Sequence, residues 1–216
     1  KDTSLLSAPD IEMMIRTRFN IPCNNMTKKC LIITSIIIFL FASCSEEQNI
    51  FISTDGRIFI KNQQPYYYIG TNYWYGPVLG SSGQWGDRER LKQELEIMKR
   101  AGIDNLRILV GAEGPDGEPF RITPALQTAP GVYNDTLLEG LDYLLYEMKK
   151  RNQYAILYLQ NSWDWSGGYA QYLNWNGYGK NHYPMVEPNT WSDFINYSKQ
   201  FHTCEPCLQQ FENYVR

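Results

Sequence analysis

The sequence has no excess of positive charge. Its 20 Lys and Arg stand against 23 Asp and Glu, for a net charge of −3, so it lacks the basic footprint of a nucleic-acid binder and no nucleic-acid partner is expected. It has no long apolar run. The longest, residues 31–42, falls short of the ~20 residues that span a bilayer as a helix. No Gly-x-Gly-x-x-Gly follows the first strand-like run, which disfavours a dinucleotide-binding sheet. The 5 cysteines form no framework: Cys23, Cys30 and Cys44 precede the folded part or end the apolar segment, leaving Cys204-Glu205-Pro206-Cys207. Neither a four-Cys zinc pattern nor a thioredoxin-like βαβ context surrounds that pair, so a local disulfide or two free thiols is expected. Internal repeats and low-complexity tracts are absent.

The apolar run belongs to an export signal. Met26-Thr27-Lys28-Lys29 is a short basic region, residues 31–42 are the apolar segment, and Ala42-Ser43-Cys44 follows. Small residues before a Cys at this point resemble a bacterial lipoprotein signal, with Cys44 as the lipid-bearing first residue; an ordinary secretory signal with an incidental Cys fits the same stretch. Either reading places the protein outside the cytoplasm, in the cell envelope (outer membrane or cell surface) through a lipid anchor, or secreted. The organisation is therefore an unassigned upstream segment 1–25, a signal 26–44, a polar tether 45–50 and a folded domain 51–216.

Aromatic residues are abundant, with 16 Tyr and 6 Trp. Their apolar faces and polar tips suit contact with sugars, and they serve an aromatic core equally well. Along the folded part, Asp55-Gly56 marks a hairpin turn within 51–60, and residues 66–70 read as a second β-rich run. Residues 87–100 read as a helix with Leu91, Leu95 and Met98 on one stripe, and 105–110 as a strand carrying Arg107. A loop is expected over 111–132. Asn134 or Asp135 then caps a helix with Leu137, Leu141, Leu144 and Met148 facing inward. Residues 154–159 form a continuous apolar run, as in a strand buried on both faces. A long loop, 160–188, precedes a last helix that starts at Asn189 or Thr190 and is interrupted by Pro206. Alternating β and α units predict an α/β fold with a parallel sheet. Three such units do not close a barrel, and an open doubly wound sheet uses the same units.

If the strands line up in a barrel, chemistry sits at their C-terminal ends. After the first come Gly70-Thr71-Asn72-Tyr73-Trp74, where Tyr73 and Trp74 are candidates to stack on a pyranose or to pack against neighbouring loops. On the second lies Arg107, a charge inside an apolar run that needs a partner. It is a candidate to support a catalytic carboxylate by favouring its ionised form, or a member of a structural ion pair. After the third come Asn161, Trp163, Trp165, Gln171, Tyr172 and Trp175, a set of stacking platforms and amides that reads as a sugar cleft.

These pieces in this order resemble glycoside hydrolase family 5, β-mannanase subfamily 7, from about Phe51 to Arg216: Gly70-Thr71-Asn72-Tyr73-Trp74, the Asn105-Leu106-Arg107 strand, Leu141-Asp142-Tyr143, Asn161-x-Trp163, Gly167-Gly168 and Gln171-Tyr172-x-x-Trp175. The resemblance implies a TIM (β/α)8 barrel, represented by roughly its first three βα units and preceded by an N-terminal β-hairpin. It implies a retaining endo-β-1,4-mannanase acting on mannan-type polysaccharide through two Glu residues, without metal or organic cofactor. Another family 5 specificity, such as a β-glucanase or cellulase, and a non-catalytic glycan-binding surface lipoprotein are the alternatives. Arg107 is the one member of the family's catalytic cluster that carries over. Glu113, Asp164 and Glu187 match neither catalytic glutamate, which are expected beyond Arg216.

Overall fold

The computed structural model describes residues 51–216; the export signal, Cys44 and the tether lie outside the described residues. The chain divides into two compact units between Tyr66 and Tyr67.

The described part of the first unit is an antiparallel meander of β1 (Ser53–Asp55), β2 (Ile58–Lys61) and β3 (Gln64–Tyr66). The expected turn at Asp55-Gly56 is present, with Gly56 at φ +59° and Asp55 opposite Ile58. The second turn uses Asn62 and Gln63, both at positive φ, in a two-residue turn that ordinarily favours Asn-Gly. No glycine announces this turn in the sequence, and the expected β-rich run 66–70 instead joins the end of β3 to the start of the next strand, with no strand over 67–69.

The second unit is built on a parallel sheet of β4 (Gly70–Asn72), β5 (Asn105–Leu109) and β8 (Tyr154–Tyr158), in that spatial order. A short helix α1 (Gly76–Gly80) and α2 (Arg88–Arg100) connect β4 to β5, and α3 (Asp135–Lys150) connects β5 to β8. Asp87 caps α2 by accepting from the Arg90 amide, and Asn134 caps α3 by accepting from Thr136 and Leu137. Leu106 and Ile108, on one face of β5, share a core with Leu91 and Leu95 of α2 and with Leu144 and Met148 of α3. Both connecting helices therefore cover the same face of a sheet whose strands follow chain order. A doubly wound sheet reverses order and covers both faces; this one is singly wound. α1 lies against α3 through glycines: a Cβ added to Gly80 would fall 2.2 Å from the Gly140 carbonyl oxygen.

Three expectations are corrected. First, β8 is not buried on both faces: Ile156 and Leu157 are each 42% exposed. It is an edge strand among the described residues, and a run of apolar side chains states what a strand prefers, not which neighbours cover it. Second, the loop 111–132 contains a small hairpin, β6 (Gln127–Ala129) and β7 (Val132–Tyr133). Third, the loop 160–188 contains a 3₁₀ turn (Asp164–Ser166) and a helix α4 (Gly168–Trp175). That helix opens on Gly167 and Gly168, both at positive φ, which read as loop punctuation. Beyond it run α5 (Trp191–Ser198), a 3₁₀ segment (Lys199–Thr203) and α6 (Glu205–Val215). The helical run is interrupted at Cys204, as expected near Pro206, which occupies the first turn of α6. Cys204 and Cys207 form a disulfide, buried in a second core with Tyr172, Leu173, Phe194 and Phe201.

Candidate functional site

The face of the parallel sheet opposite the helices carries the polar cluster. Asn72 lies beside Arg107, and Arg107 beside Ile156. Tyr158, two residues on from Ile156, projects from the same face one step nearer the C-terminal ends of the strands. The Arg107 guanidinium sits 3.6 Å from the centre of the Tyr158 ring, and its Nη1 donates to Asn72 Oδ1 at 3.4 Å. Burial raises the Tyr158 hydroxyl pKa, opposed by the Arg107 charge. The sequence cast Arg107 as a buried charge in need of compensation. The structure corrects this: strand alternation sends Leu106 and Ile108 into the core and leaves Arg107 exposed. Its guanidinium is exposed on one side and stacked on the other, and among the described residues no carboxylate forms a salt bridge with it.

Beyond the strand ends, two aromatic groups stand out. Trp74 meets Trp165 edge-on at 5.6 Å, and Trp163, 54% exposed, meets Trp191 edge-on at 5.9 Å. The segment that carries Trp163 and Trp165 is bonded internally. Asn161 Oδ1 accepts from the Trp163 amide at 3.2 Å, and Ser166 Oγ donates to the carbonyls of Asn161 and Trp163, each at 3.2 Å. It is also held from outside: the Glu113 amide donates to the Ser166 carbonyl at 2.8 Å, the Ile122 amide to the Trp165 carbonyl at 2.9 Å, and the Gly168 amide to Glu113 Oε2 at 2.9 Å. Glu113 is 1% exposed. Burial pushes its pKa up to about 8, against the opposing pull of the Gly168 amide and Arg121. Asp164 is also buried and its pKa is raised for the same reason. Among the described residues no three His, Cys, Asp or Glu side chains gather closely enough to hold a metal ion.

Residues 49–216 match the family described as GH family 5 beta-mannosidase-like. The chain belongs to glycoside hydrolase family 5. It is 33% identical over 126 residues to a putative mannan endo-1,4-beta-mannosidase 9 of Oryza sativa, covering 58% of this chain and 28% of that protein. It is 30% identical over 144 residues to mannan endo-1,4-beta-mannosidase 3 of Solanum lycopersicum, covering 66% of this chain and 33% of that protein. Its fold superposes on a family 5 mannosidase from Rhizomucor miehei in complex with mannosyl-fructose with a TM-score of 0.71 at 35% identity, over 78% of this chain and 42% of that one. The chain thus spans about a third of the length of the plant relatives it matches.

Within this family 5 chain the anticipated sugar-binding residues separate into two groups. Trp74, Asn161, Trp163 and Trp165 are exposed or half-buried in the segments that follow β4 and β8. Tyr73, Gln171 and Tyr172 are corrected, being buried and committed to the fold. Tyr73 is a core residue whose hydroxyl donates to Glu94 Oε2 at 2.7 Å. Gln171 Oε1 accepts from Asn181 Nδ2 at 2.8 Å, and the Tyr172 hydroxyl donates to Gln127 Oε1 at 3.0 Å. Trp175 is corrected as well: it packs on the second core, edge-on to Tyr172 at 5.4 Å. The last three sit on α4, and reading that segment as a loop is what made them look available. Sequence reasoning missed Tyr158 as the partner of Arg107, because its place depends on register between strands. It also missed Glu113, whose contacts lie 53 and 55 residues away along the chain.

Proposed function

We propose that this family 5 chain supplies the first βα units of a retaining endo-β-1,4-mannanase built on a closed (β/α)8 barrel. The observation that carries the reading is the placement of Arg107, with Asn72 and Tyr158, on the sheet face opposite the helices, the face that a closed barrel turns inward. Retaining hydrolysis uses two carboxyl groups about 5–5.5 Å apart. One protonates the leaving oxygen while the other attacks the anomeric carbon, and water then resolves the glycosyl-enzyme with the first group acting as base. An exposed guanidinium on the barrel axis is suited to keep such a nucleophile ionised. Glu113 and Asp164 are buried, their carboxyl groups turned to backbone amides. Glu187 is tied to Lys180 and to the Tyr183 amide. None of the three serves the reaction, and the catalytic pair is assigned to later strands of the same barrel.

A second reading, an exo-acting β-mannosidase, is favoured by the likeness to the Rhizomucor miehei mannosidase. The protein that carries this segment, incubated with β-1,4-mannan, separates the readings. Rapid viscosity loss with the β-anomer released first, followed by NMR, supports an endo-acting retaining enzyme; slow viscosity loss with mannose released throughout supports the exo reading. Turnover of cello-oligosaccharides but not mannan would contradict both. We also propose export with lipidation at Cys44, supported by the sequence pattern of 26–44. Metabolic labelling with palmitate should mark the wild type and not Cys44→Ala; absence of label in the wild type removes the proposal.

A further inference from the structure

The carboxyl group of Glu113 has no part in the hydrolysis just described, yet it is 1% exposed and sits where three parts of the second unit converge. Its own backbone continues from the strand that carries Arg107. Its amide donates to the Ser166 carbonyl at 2.8 Å, and its Oε2 accepts from the Gly168 amide at 2.9 Å, the first residue of α4. Its carbonyl accepts from the Arg121 guanidinium, whose other terminal nitrogen donates to the Tyr183 hydroxyl at 3.4 Å. The fit leaves no spare room: a Cβ on Gly167 would fall 2.0 Å from the Glu113 carbonyl oxygen, and one on Gly168 would fall 2.2 Å from the Asn161 carbonyl oxygen. No side chain of α4 or its preceding residue caps the helix, so the Glu113 carboxyl takes the place of a local cap on its first amide.

We infer that Glu113 is a positioning residue, whose buried carboxyl fixes segment 161–168, and with it Trp163 and Trp165, against the strand that carries Arg107. The inference rests on the proposed sugar-binding role of those tryptophans, but its structural half does not. The charged and titratable groups that bear on Glu113 are Arg121 in its own loop, Tyr172 on α4 and Tyr214 on α6; Asp164, across the segment, is coupled to Arg121. A neutral carboxyl in this place accepts the Gly168 amide without a buried charge. Ionising it puts a buried charge beside the Gly168 amide, its own amide and the Arg121 guanidinium, too little to replace water, and loosens the segment.

Two measurements test this on the full protein. Amide hydrogen exchange is read on peptides covering 161–168 and, as a control, 88–100. Glu113→Gln, which keeps an oxygen for the Gly168 amide, should protect 161–168 as the wild type does. Glu113→Ala should speed exchange there by at least tenfold and leave 88–100 unchanged. If Glu113→Ala does not fold, the pH series decides: wild-type protection of 161–168, corrected for intrinsic exchange, should fall as pH rises from about 5 to about 8, and Glu113→Gln should show no such fall. Equal pH profiles in the two proteins, or exchange that rises uniformly over both peptides, overturns the positioning role. Affinity for β-1,4-mannotetraose is then read on the same samples. A loosened segment should weaken it several-fold with KM rising more than kcat falls. Altered exchange with no tetraose binding by the wild type at any pH sinks the sugar-binding reading and leaves the structural role standing.

Discussion

Arg107 acquires its place from the two-residue period of a strand. Its neighbours Leu106 and Ile108 bury against α2 and α3, and the same pleat turns the guanidinium to the opposite face, over Tyr158 and beside Asn72. Because Arg107 is exposed, replacing it should cost little stability, so a loss of activity in an Arg107 variant reports on chemistry and not on folding. Trp163 behaves alike. Its indole is 54% exposed, so Trp163→Ala should leave the melting temperature nearly unchanged while weakening mannotetraose binding by about 1–3 kcal/mol, the scale of aromatic stacking platforms. Calorimetry and titration on one sample check both; a sharp drop in melting temperature with affinity intact would place Trp163 in the core. Tyr73 should show the reverse. Tyr73→Phe removes the hydroxyl that donates to Glu94 at 2.7 Å and should destabilise by about 1–3 kcal/mol with sugar affinity unchanged. Glu94 would remain bonded to Arg90 and Tyr75, which favours the lower end of that range.

At the scale of elements, those that fix their own ends were legible in the sequence. The helices α2 and α3 carry their caps, Asp87 and Asn134, and apolar stripes; each starts within a residue of its expected start, and α2 ends at Arg100 as expected. Asn134→Ala should cost about 0.5–2 kcal/mol, as expected for a lost cap, measured by denaturant unfolding. The helix α4 was not legible, because its first amide is served by Glu113 from a distant loop and its cap position and first residue are glycines. That miss accounts for the errors at Gln171, Tyr172 and Trp175: the residue types are aromatic or amide as a sugar site needs, but the burial of the first two and the packing of Trp175 depend on a helix whose start is set elsewhere. The same limit applies to α1 against α3, where close approach depends on Gly80 and Gly140 and neither stands out in sequence. Gly80→Ala forces a Cβ onto the Gly140 carbonyl, a backbone atom with no side-chain freedom to yield. A loss of about 1–3 kcal/mol is expected, with no change in sugar affinity; an unchanged melt would contradict the packing of these two helices.

For the whole molecule, buried acids shape the response to pH. The folded pKa of Glu113 is raised from 4.5 to about 8, and that of Asp164 is raised too, both by burial. An acid held above its unfolded value keeps its proton longer in the folded state. Its contribution is complete at pH below the unfolded value and is lost as pH climbs toward the folded one, with a slope of at most about 1.4 kcal/mol per pH unit for each group. Glu94 and Glu147, whose pKa values are lowered, act in the opposite sense and only at lower pH. Stability should therefore decline from about pH 5 to pH 8, and Glu113→Gln should flatten that decline; denaturant titrations across this range check it. The fold class was legible because alternating strands and helices need only local pattern, and single winding follows from one core on one side of the sheet. The open face was not, because which side of a strand meets solvent depends on register and neighbours. That face is the proposed meeting place of mannan and Arg107. The most direct test is kcat/KM on β-1,4-mannan for the protein that carries this segment, wild type against Arg107→Ala, with both melts recorded. A fall of roughly a hundredfold or more, the scale for losing one preorganised electrostatic partner, with an unchanged melt is the predicted result; activity within twofold of wild type would contradict it.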